Sequence, residues 1–128
     1  MIPPTRSGGL KGLARSFYYA GAGLWWVVKT QRNMRIHLGL GLAATILALA
    51  LHFSPVELAI LAVMVTLVLT LEMINSVVEA AVDLASPGYH PLAKTAKDVA
   101  AGAVFGAAIG AVVVGLLLFV PHLFALHQ

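Results

Sequence analysis

Three long apolar stretches dominate this sequence and limit the folds that it can adopt. They run from Ile36 to Phe53, from Val56 to about Ser76 and from Val99 to Val120. Each is close to the roughly 17 to 25 residues that an α-helix needs to cross a bilayer. Strands of a membrane barrel would alternate polar and apolar residues, and these stretches do not. Together with a charged fraction of only 10%, they predict an all-α integral membrane protein.

Basic residues around the three stretches predict how the chain is oriented. Six precede the first stretch, and two, Lys94 and Lys97, lie between the second and the third. The turn at Ser54 and Pro55 and the tail after Val120 contain no Lys or Arg. The positive-inside rule then places the N-terminus and the 84–98 loop in the cytoplasm of a cell with an inner membrane. Because topology explains the net positive charge and no recognition motif is present, nucleic-acid binding is not expected.

The segment before the first stretch predicts a helix on the membrane surface. Over residues 10–31, apolar and aromatic residues are mixed with Lys11, Arg15 and Lys29, as in an amphipathic helix at the interface. Trp25 and Trp26 are typical interfacial anchors. The first six residues, Met1 to Arg6, lack the features of a signal peptide, so the first span is expected to remain in the mature chain.

A polar face follows the second apolar stretch without a helix-breaking residue. At about 100° per residue, its five members fall within an arc of roughly 100°; they are Glu72, Asn75, Ser76, Glu79 and Asp83. Counting about 20 residues from Val56 places Glu72 inside the apolar part of the membrane, with the helix continuing to residue 84 as a cytoplasmic extension. An ionisable residue at that depth indicates a functional site. Three helices enclose little core, so an oligomer is expected to cover this face.

The loop after this helix and the start of the third helix add further polar residues. Ser86, Pro87 and Gly88 predict a loop, and Lys97 and Asp98 stand where the third helix, 97–120, begins. The connection should bring this Lys–Asp pair near the polar face. Within the third helix, small residues recur every four positions and indicate helix packing; they are Gly102, Gly106 and Gly110. The sequence contains no Walker A motif.

Several kinds of chemistry suit carboxylates, an amide and a lysine at the membrane boundary. They could bind a transported cation, relay protons, or hold Mg²⁺ and nucleotide phosphates. For phosphoryl transfer, Glu79 suits metal binding, Lys97 suits phosphate, and the deeper Glu72 suits a base that acts on a lipid hydroxyl. The residues alone leave a transporter or channel fragment open as well. His37, one turn inside the first span, is interpreted mainly as a hydrogen-bonding group between helices.

The pattern Glu72-x-x-Asn75-Ser76-x-x-Glu79-x-x-x-Asp83, followed by His90-Pro91-Leu92-Ala93-Lys94-x-x-Lys97-Asp98, resembles the signature of the small bacterial diacylglycerol kinase and undecaprenol kinase family. The upstream segment Arg32-Asn33-x-Arg35-Ile36-His37 resembles it too. The resemblance implies a homotrimer of three-span subunits with a surface helix and shared active sites. It also implies transfer of the γ-phosphoryl group of ATP to a lipid alcohol, undecaprenol or diacylglycerol, with Mg²⁺ as cofactor. A non-catalytic scaffold or transporter subunit with the same fold is the alternative.

The resemblance also assigns roles to individual positions. Glu72 matches the proposed general base and Glu79 a metal ligand. The matching positions of the nucleotide and phosphate site are Asn75, Lys97 and Asp98, with Asp83 and His90 near the nucleotide end. One position departs from the family pattern: Gln31 stands where a second metal-binding Glu is common. An amide oxygen can still ligate Mg²⁺, but it does not carry the negative charge.

Overall fold

The computed structural model describes residues 9–125. Within them the chain forms four α-helices in the order α1 (Leu10–Thr30), α2 (Arg32–Ala50), α3 (Pro55–Ala85) and α4 (Pro91–Ala125). Helices α2, α3 and α4 are each long and apolar enough to cross a membrane. The prediction of an all-α chain with three helices of membrane-spanning length is therefore confirmed. The first six residues, for which no signal peptide was expected, lie outside the described residues.

A single extended residue separates α1 from α2. Gln31 has φ −97° and ψ 116°, and its backbone N–H donates a hydrogen bond to the carbonyl of Val27 over 2.8 Å. Gln31 thus ends α1 and begins α2. Most of α1 is exposed, and Val27 is its one buried residue. The buried part of the helix is therefore near its C-terminal end.

The turn between α2 and α3 begins earlier than the sequence predicts. Helix α2 ends at Ala50, three residues before the predicted boundary at Phe53. The reason is local: His52 adopts a left-handed conformation with φ 57°, which a continuing helix does not allow. Helix α3 then starts with a capping box, in which Ser54 and Glu57 each accept a hydrogen bond from the backbone N–H of the other. Pro55 occupies the first turn, where its missing N–H is not needed.

Helix α3 lies at the centre of the fold, with α4 packed along one side and α2 along the other. A small apolar core near the α2–α3 turn is formed by Ala48, Phe53 and Leu61, with Phe119 of α4 against it. Farther along, Gly41 of α2 lets α3 come close. A Cβ atom on Gly41 would lie 2.8 Å from Cγ1 of Val65.

Two of the three glycines of the α4 stripe do not pack against the rest of this chain, so the packing role predicted for the stripe stays a prediction. A Cβ atom on Gly102 or Gly106 would meet nothing within 4 Å, and one on Gly110 would meet only the end of the Met64 side chain, at 3.8 Å. The reason is helical phase. The stripe lies roughly 160° to 240° around the helix from Val104, which is the buried residue of α4.

Candidate active site

Helix α3 buries three polar side chains against the helices of its own chain. Glu72 is 2% exposed, Asn75 8% and Ser76 1%. Ser76 is satisfied locally, because its hydroxyl donates a hydrogen bond to the backbone carbonyl of Glu72 over 2.9 Å. We expected a second copy to cover this polar face, but for these three residues the single chain is sufficient. Asp83, two turns beyond Asn75, remains largely exposed.

His37 of α2 faces the buried carboxylate. Its Nε2 atom lies 3.3 Å from Oε1 of Glu72, and 22% of the His37 side chain is exposed. A carboxylate removed from water is costly unless another polar group stabilises it, and His37 is that group. The interpretation of His37 as a hydrogen-bonding group between helices thus gains a specific partner. From the sequence, His37 could be recognised only as a polar side chain one turn inside an apolar stretch. That pattern does not show which residue His37 contacts.

Asn75 and Glu79 form a second polar pair, one turn farther along α3. The Asn75 amide nitrogen donates a hydrogen bond to Oε1 of Glu79 over 3.0 Å. Among the described residues, nothing hydrogen-bonds to the buried Oδ1 atom of Asn75. This arrangement leaves the amide oxygen without a hydrogen-bond partner beside the Glu79 carboxylate.

The donor set of this pair fits Mg²⁺ that is bound together with phosphates. Mg²⁺ prefers oxygen ligands and is usually held by one or two carboxylates, substrate phosphates and water. Within residues 9–125, no cluster of three or more His, Cys, Asp or Glu side chains could hold a metal ion alone. The oxygens of Glu79 and Asn75 alone are therefore too few to hold a metal ion, and a bound ion would need further ligands such as phosphate or water.

Lys97 and Asp98 are adjacent in the sequence but have different partners. The Lys97 ammonium forms an ion pair with Asp83 of α3, whereas Asp98 pairs with Lys94 on the same helix. The Lys97–Asp83 pair ties the end of α3 to the start of α4. It borders a cavity of about 380 Å³ under the 86–90 loop, which Lys94 and His90 also line, while Asp98 is not among its lining residues.

His90 stabilises the beginning of α4. Its ring Nδ1 accepts a hydrogen bond from the backbone N–H of Leu92 over 3.2 Å, and its carbonyl accepts one from the N–H of Lys94 over 3.1 Å. The sequence pattern placed His90 near the nucleotide but did not predict this capping role. Its position beside the cavity keeps it close to Lys97 and Asp83.

Gln31 occupies the joint between α1 and α2. It is half-buried, and its side chain makes no hydrogen bond to another described residue. The structure therefore positions its backbone through the bond to Val27 but gives its amide group no partner.

An apolar cavity of about 310 Å³ lies between α2, α3 and α4. It extends from Phe119, near the α2–α3 turn, to His37. Its other lining residues are apolar, so His37 is the polar group on its wall among the described residues. His37 therefore lies between the apolar cavity, which it lines, and the buried Glu72, which it contacts.

Comparison with known proteins identifies the family. The model of the prokaryotic diacylglycerol kinase family matches residues 18–119. The chain belongs to this family. A diacylglycerol kinase of Synechocystis sp. is 42% identical to this chain, and the alignment covers 98% of this chain and 79% of the Synechocystis protein. An undecaprenol kinase of Bacillus subtilis is 38% identical, over 85% of the present chain and 89% of that protein. The resemblance noted in the sequence is thereby confirmed.

More distant members match a shorter part of this kinase-family chain. A diacylglycerol kinase of Escherichia coli K12 is 36% identical over 63% of the present chain and 66% of its own length. The family match, by contrast, includes every candidate site residue, from Gln31 to Asp98. The candidate site thus lies wholly inside the region that defines the family.

Proposed function

We propose that this protein is an ATP-dependent lipid kinase that transfers the γ-phosphoryl group to a membrane lipid alcohol, undecaprenol or diacylglycerol. The product is the corresponding lipid phosphate. The observation that carries this proposal is the family match, which includes part or all of each described helix and all candidate site residues. The geometry of those residues supports a distinct role for each part of the site.

Glu72 is the proposed general base. It is buried, and its partner His37 lines an apolar cavity that suits a lipid chain. In the reaction, the acceptor hydroxyl oxygen bonds to the γ-phosphorus of ATP while the bond to the ADP oxygen breaks, and the hydroxyl proton moves to Glu72. The shielding of this carboxylate from water favours the lipid hydroxyl over water as the phosphoryl acceptor.

Glu79 and the joint residue Gln31 are the proposed Mg²⁺ ligands, and Asn75, a member of the proposed nucleotide and phosphate site, is a further candidate. The free Oδ1 atom of Asn75 and the carboxylate of Glu79 provide suitable oxygens on one face of α3. When bound, Mg²⁺ would neutralise charge on the transferring phosphates. Because Gln31 is uncharged, the negative charge on the protein side comes mainly from Glu79.

The polar cluster between α3 and α4 is the proposed nucleotide end of the site. By helix geometry, Asp83 lies about 16 Å along α3 from Glu72, since each residue adds roughly 1.5 Å. The Lys97 ammonium can bind phosphate oxygens after its ion pair with Asp83 has broken, or with the N–H donors that Asp83 does not use. The other residues proposed for this end are His90 and Asp98.

We further propose an inner-membrane topology with a cytoplasmic N-terminus, α1 on the membrane surface and a homotrimeric assembly. The distribution of Lys and Arg supports the orientation. Large apolar side chains are exposed along all four described helices, as expected for surfaces that face lipid or neighbouring copies. The active site would then lie at the cytoplasmic interface, where ATP is present.

The test is ATP-dependent phosphorylation by the purified protein in micelles. Diacylglycerol and undecaprenol are offered side by side, with and without Mg²⁺, and Glu72→Gln serves as the matched control because it keeps the side-chain shape without the base. Mg²⁺-dependent lipid phosphate from the wild type, with a large loss in Glu72→Gln, supports the proposal. A folded wild type that phosphorylates neither lipid contradicts it and favours a scaffold.

A further inference from the structure

We propose that His37 is a positioning residue for the reaction: it holds the Glu72 carboxylate in place and takes over the proton that Glu72 removes from the lipid hydroxyl. This inference rests on the proposed function, in which Glu72 is the base. It assigns a task to a residue of α2, whereas the other proposed site residues lie on α3, in the 86–90 loop, on α4 and at the α1–α2 joint.

The first observation behind this proposal is the isolation of the pair. Nε2 of His37 is 3.3 Å from Oε1 of Glu72. One turn farther along α3, the Ser76 hydroxyl donates its hydrogen bond to the backbone carbonyl of Glu72 and not to the Glu72 carboxylate. Asn75 directs its amide nitrogen to Glu79. Among the described residues, His37 is therefore the side chain that can orient the Glu72 carboxylate.

The second observation is the difference in exposure across the pair. Glu72 is 2% exposed, whereas 22% of the His37 side chain is exposed, and the ring borders the apolar cavity. Glu72 consequently has little direct access to water. The ring of His37 is the group beside the Glu72 carboxylate that can accept its proton, and it is the more exposed member of the pair.

The proposed step follows phosphoryl transfer and balances in protons. Glu72 holds the lipid hydroxyl proton as a neutral carboxylic acid. That proton passes from the carboxyl oxygen to Nε2 of a neutral His37 ring, which leaves a carboxylate paired with an imidazolium. The ring then loses one proton to water, and the neutral His37 and ionised Glu72 are restored for the next turnover. No electrons are transferred and no co-reactant is needed.

The experiment compares His37→Ala and His37→Gln with the wild type in the lipid phosphorylation assay. The matched control is His122→Gln, because His122 also lies near a glutamate, with Nε2 3.6 Å from Oε1 of Glu57, and is 26% exposed. That pair lies in the first turn of α3, about four helical turns from Glu72. The turnover number and the KM for ATP are measured for each variant, with and without added imidazole, and helix content is checked by circular dichroism.

We expect His37→Ala to lower kcat by about tenfold or more, as for loss of proton-transfer assistance. The KM for ATP should stay within about twofold, since the loss occurs in the chemical cycle rather than in nucleotide binding. Imidazole should restore part of the kcat of His37→Ala, because the neighbouring cavity admits a small ring. It should not restore His37→Gln, whose side chain fills that position, and His122→Gln should resemble the wild type.

Two results would overturn the proposal: a kcat close to that of the wild type in both His37 variants, or a loss in His37→Ala that imidazole does not reverse. If His37→Ala does not fold, His37→Gln decides, because its side chain can hydrogen-bond but cannot carry the proton. An unchanged kcat in His37→Gln would then refute the relay, and a lowered kcat with unchanged KM would support it. Failure of the underlying function is distinguishable, because the wild type itself would then form no lipid phosphate.

Discussion

Substitution of Gly41 by alanine tests whether α2 and α3 are as close as the structure indicates. The new Cβ atom would lie 2.8 Å from Cγ1 and 3.4 Å from Cγ2 of Val65. Both are methyl groups of a β-branched side chain, which has little rotamer freedom in a helix. Either the Val65 side chain leaves its preferred rotamer or the two helices move apart.

Comparison with Gly39→Ala isolates the cost of this clash. Overpacking of this kind costs about 1–3 kcal/mol, whereas the higher helix propensity of alanine contributes up to about 1 kcal/mol in the opposite direction. A Cβ atom on Gly39 would meet nothing within 4 Å. Because both sites lie inside α2, the propensity gain cancels in the comparison. Gly41→Ala should therefore be less stable than Gly39→Ala by about 1–3 kcal/mol.

The free energy of unfolding can be measured by titrating the protein in mixed micelles with sodium dodecyl sulfate. Val65→Ala in the Gly41→Ala background should recover much of the difference, because it removes both clashing methyl groups, and a double-mutant cycle measures this coupling. If Gly41→Ala and Gly39→Ala differed by less than about 0.5 kcal/mol, the close approach of α2 and α3 would be refuted.

Three further predictions concern catalysis. Glu79→Gln keeps a hydrogen-bond acceptor for Asn75 but removes the negative charge. Turnover at ordinary Mg²⁺ concentrations should therefore be abolished, while circular dichroism shows an intact fold. Retained activity would argue against the metal role of Glu79. Gln31→Glu should lower the Mg²⁺ concentration that gives half-maximal activity, and an unchanged Mg²⁺ dependence would place Gln31 outside the metal site. Lys97→Met should raise the KM for ATP by roughly tenfold through loss of charge-assisted phosphate contacts, whereas the control Lys29→Met should not; equal KM values would exclude a phosphate contact by Lys97.

The number of apolar helices and the polar face of α3 could be predicted from the sequence because both depend on local patterns. Hydropathy and length indicate helices α2, α3 and α4, and helical periodicity brings Glu72, Asn75 and Glu79 to one face. The end of α2 was less predictable, because an apolar stretch continues through Leu51 while the backbone at His52 has already left the helix.

Contacts between helices could not be predicted, because they depend on how each helix is rotated about its axis. The repeat of glycines in α4 indicates packing only if that face meets a neighbour, and in this chain Val104 faces inward instead. The pairing of His37 with Glu72 could not be predicted either, because it depends on how far α2 and α3 are shifted along each other. Lys97 and Asp98, expected as a pair, point to Asp83 and Lys94 because adjacent residues lie about 100° apart on a helix.

The short link between α2 and α3 has a consequence for how the protein enters the membrane. A carboxylate inside the apolar part of a membrane helix raises the free energy of insertion, by up to about 2.5–3.5 kcal/mol at the helix centre. Helix α3 carries such a carboxylate, Glu72, and its partner His37 is on the preceding helix, joined to α3 by residues 51–54. A hairpin of α2 and α3 therefore brings the acid into the bilayer already beside its partner, which makes the hairpin, rather than α3 alone, the favourable unit of insertion.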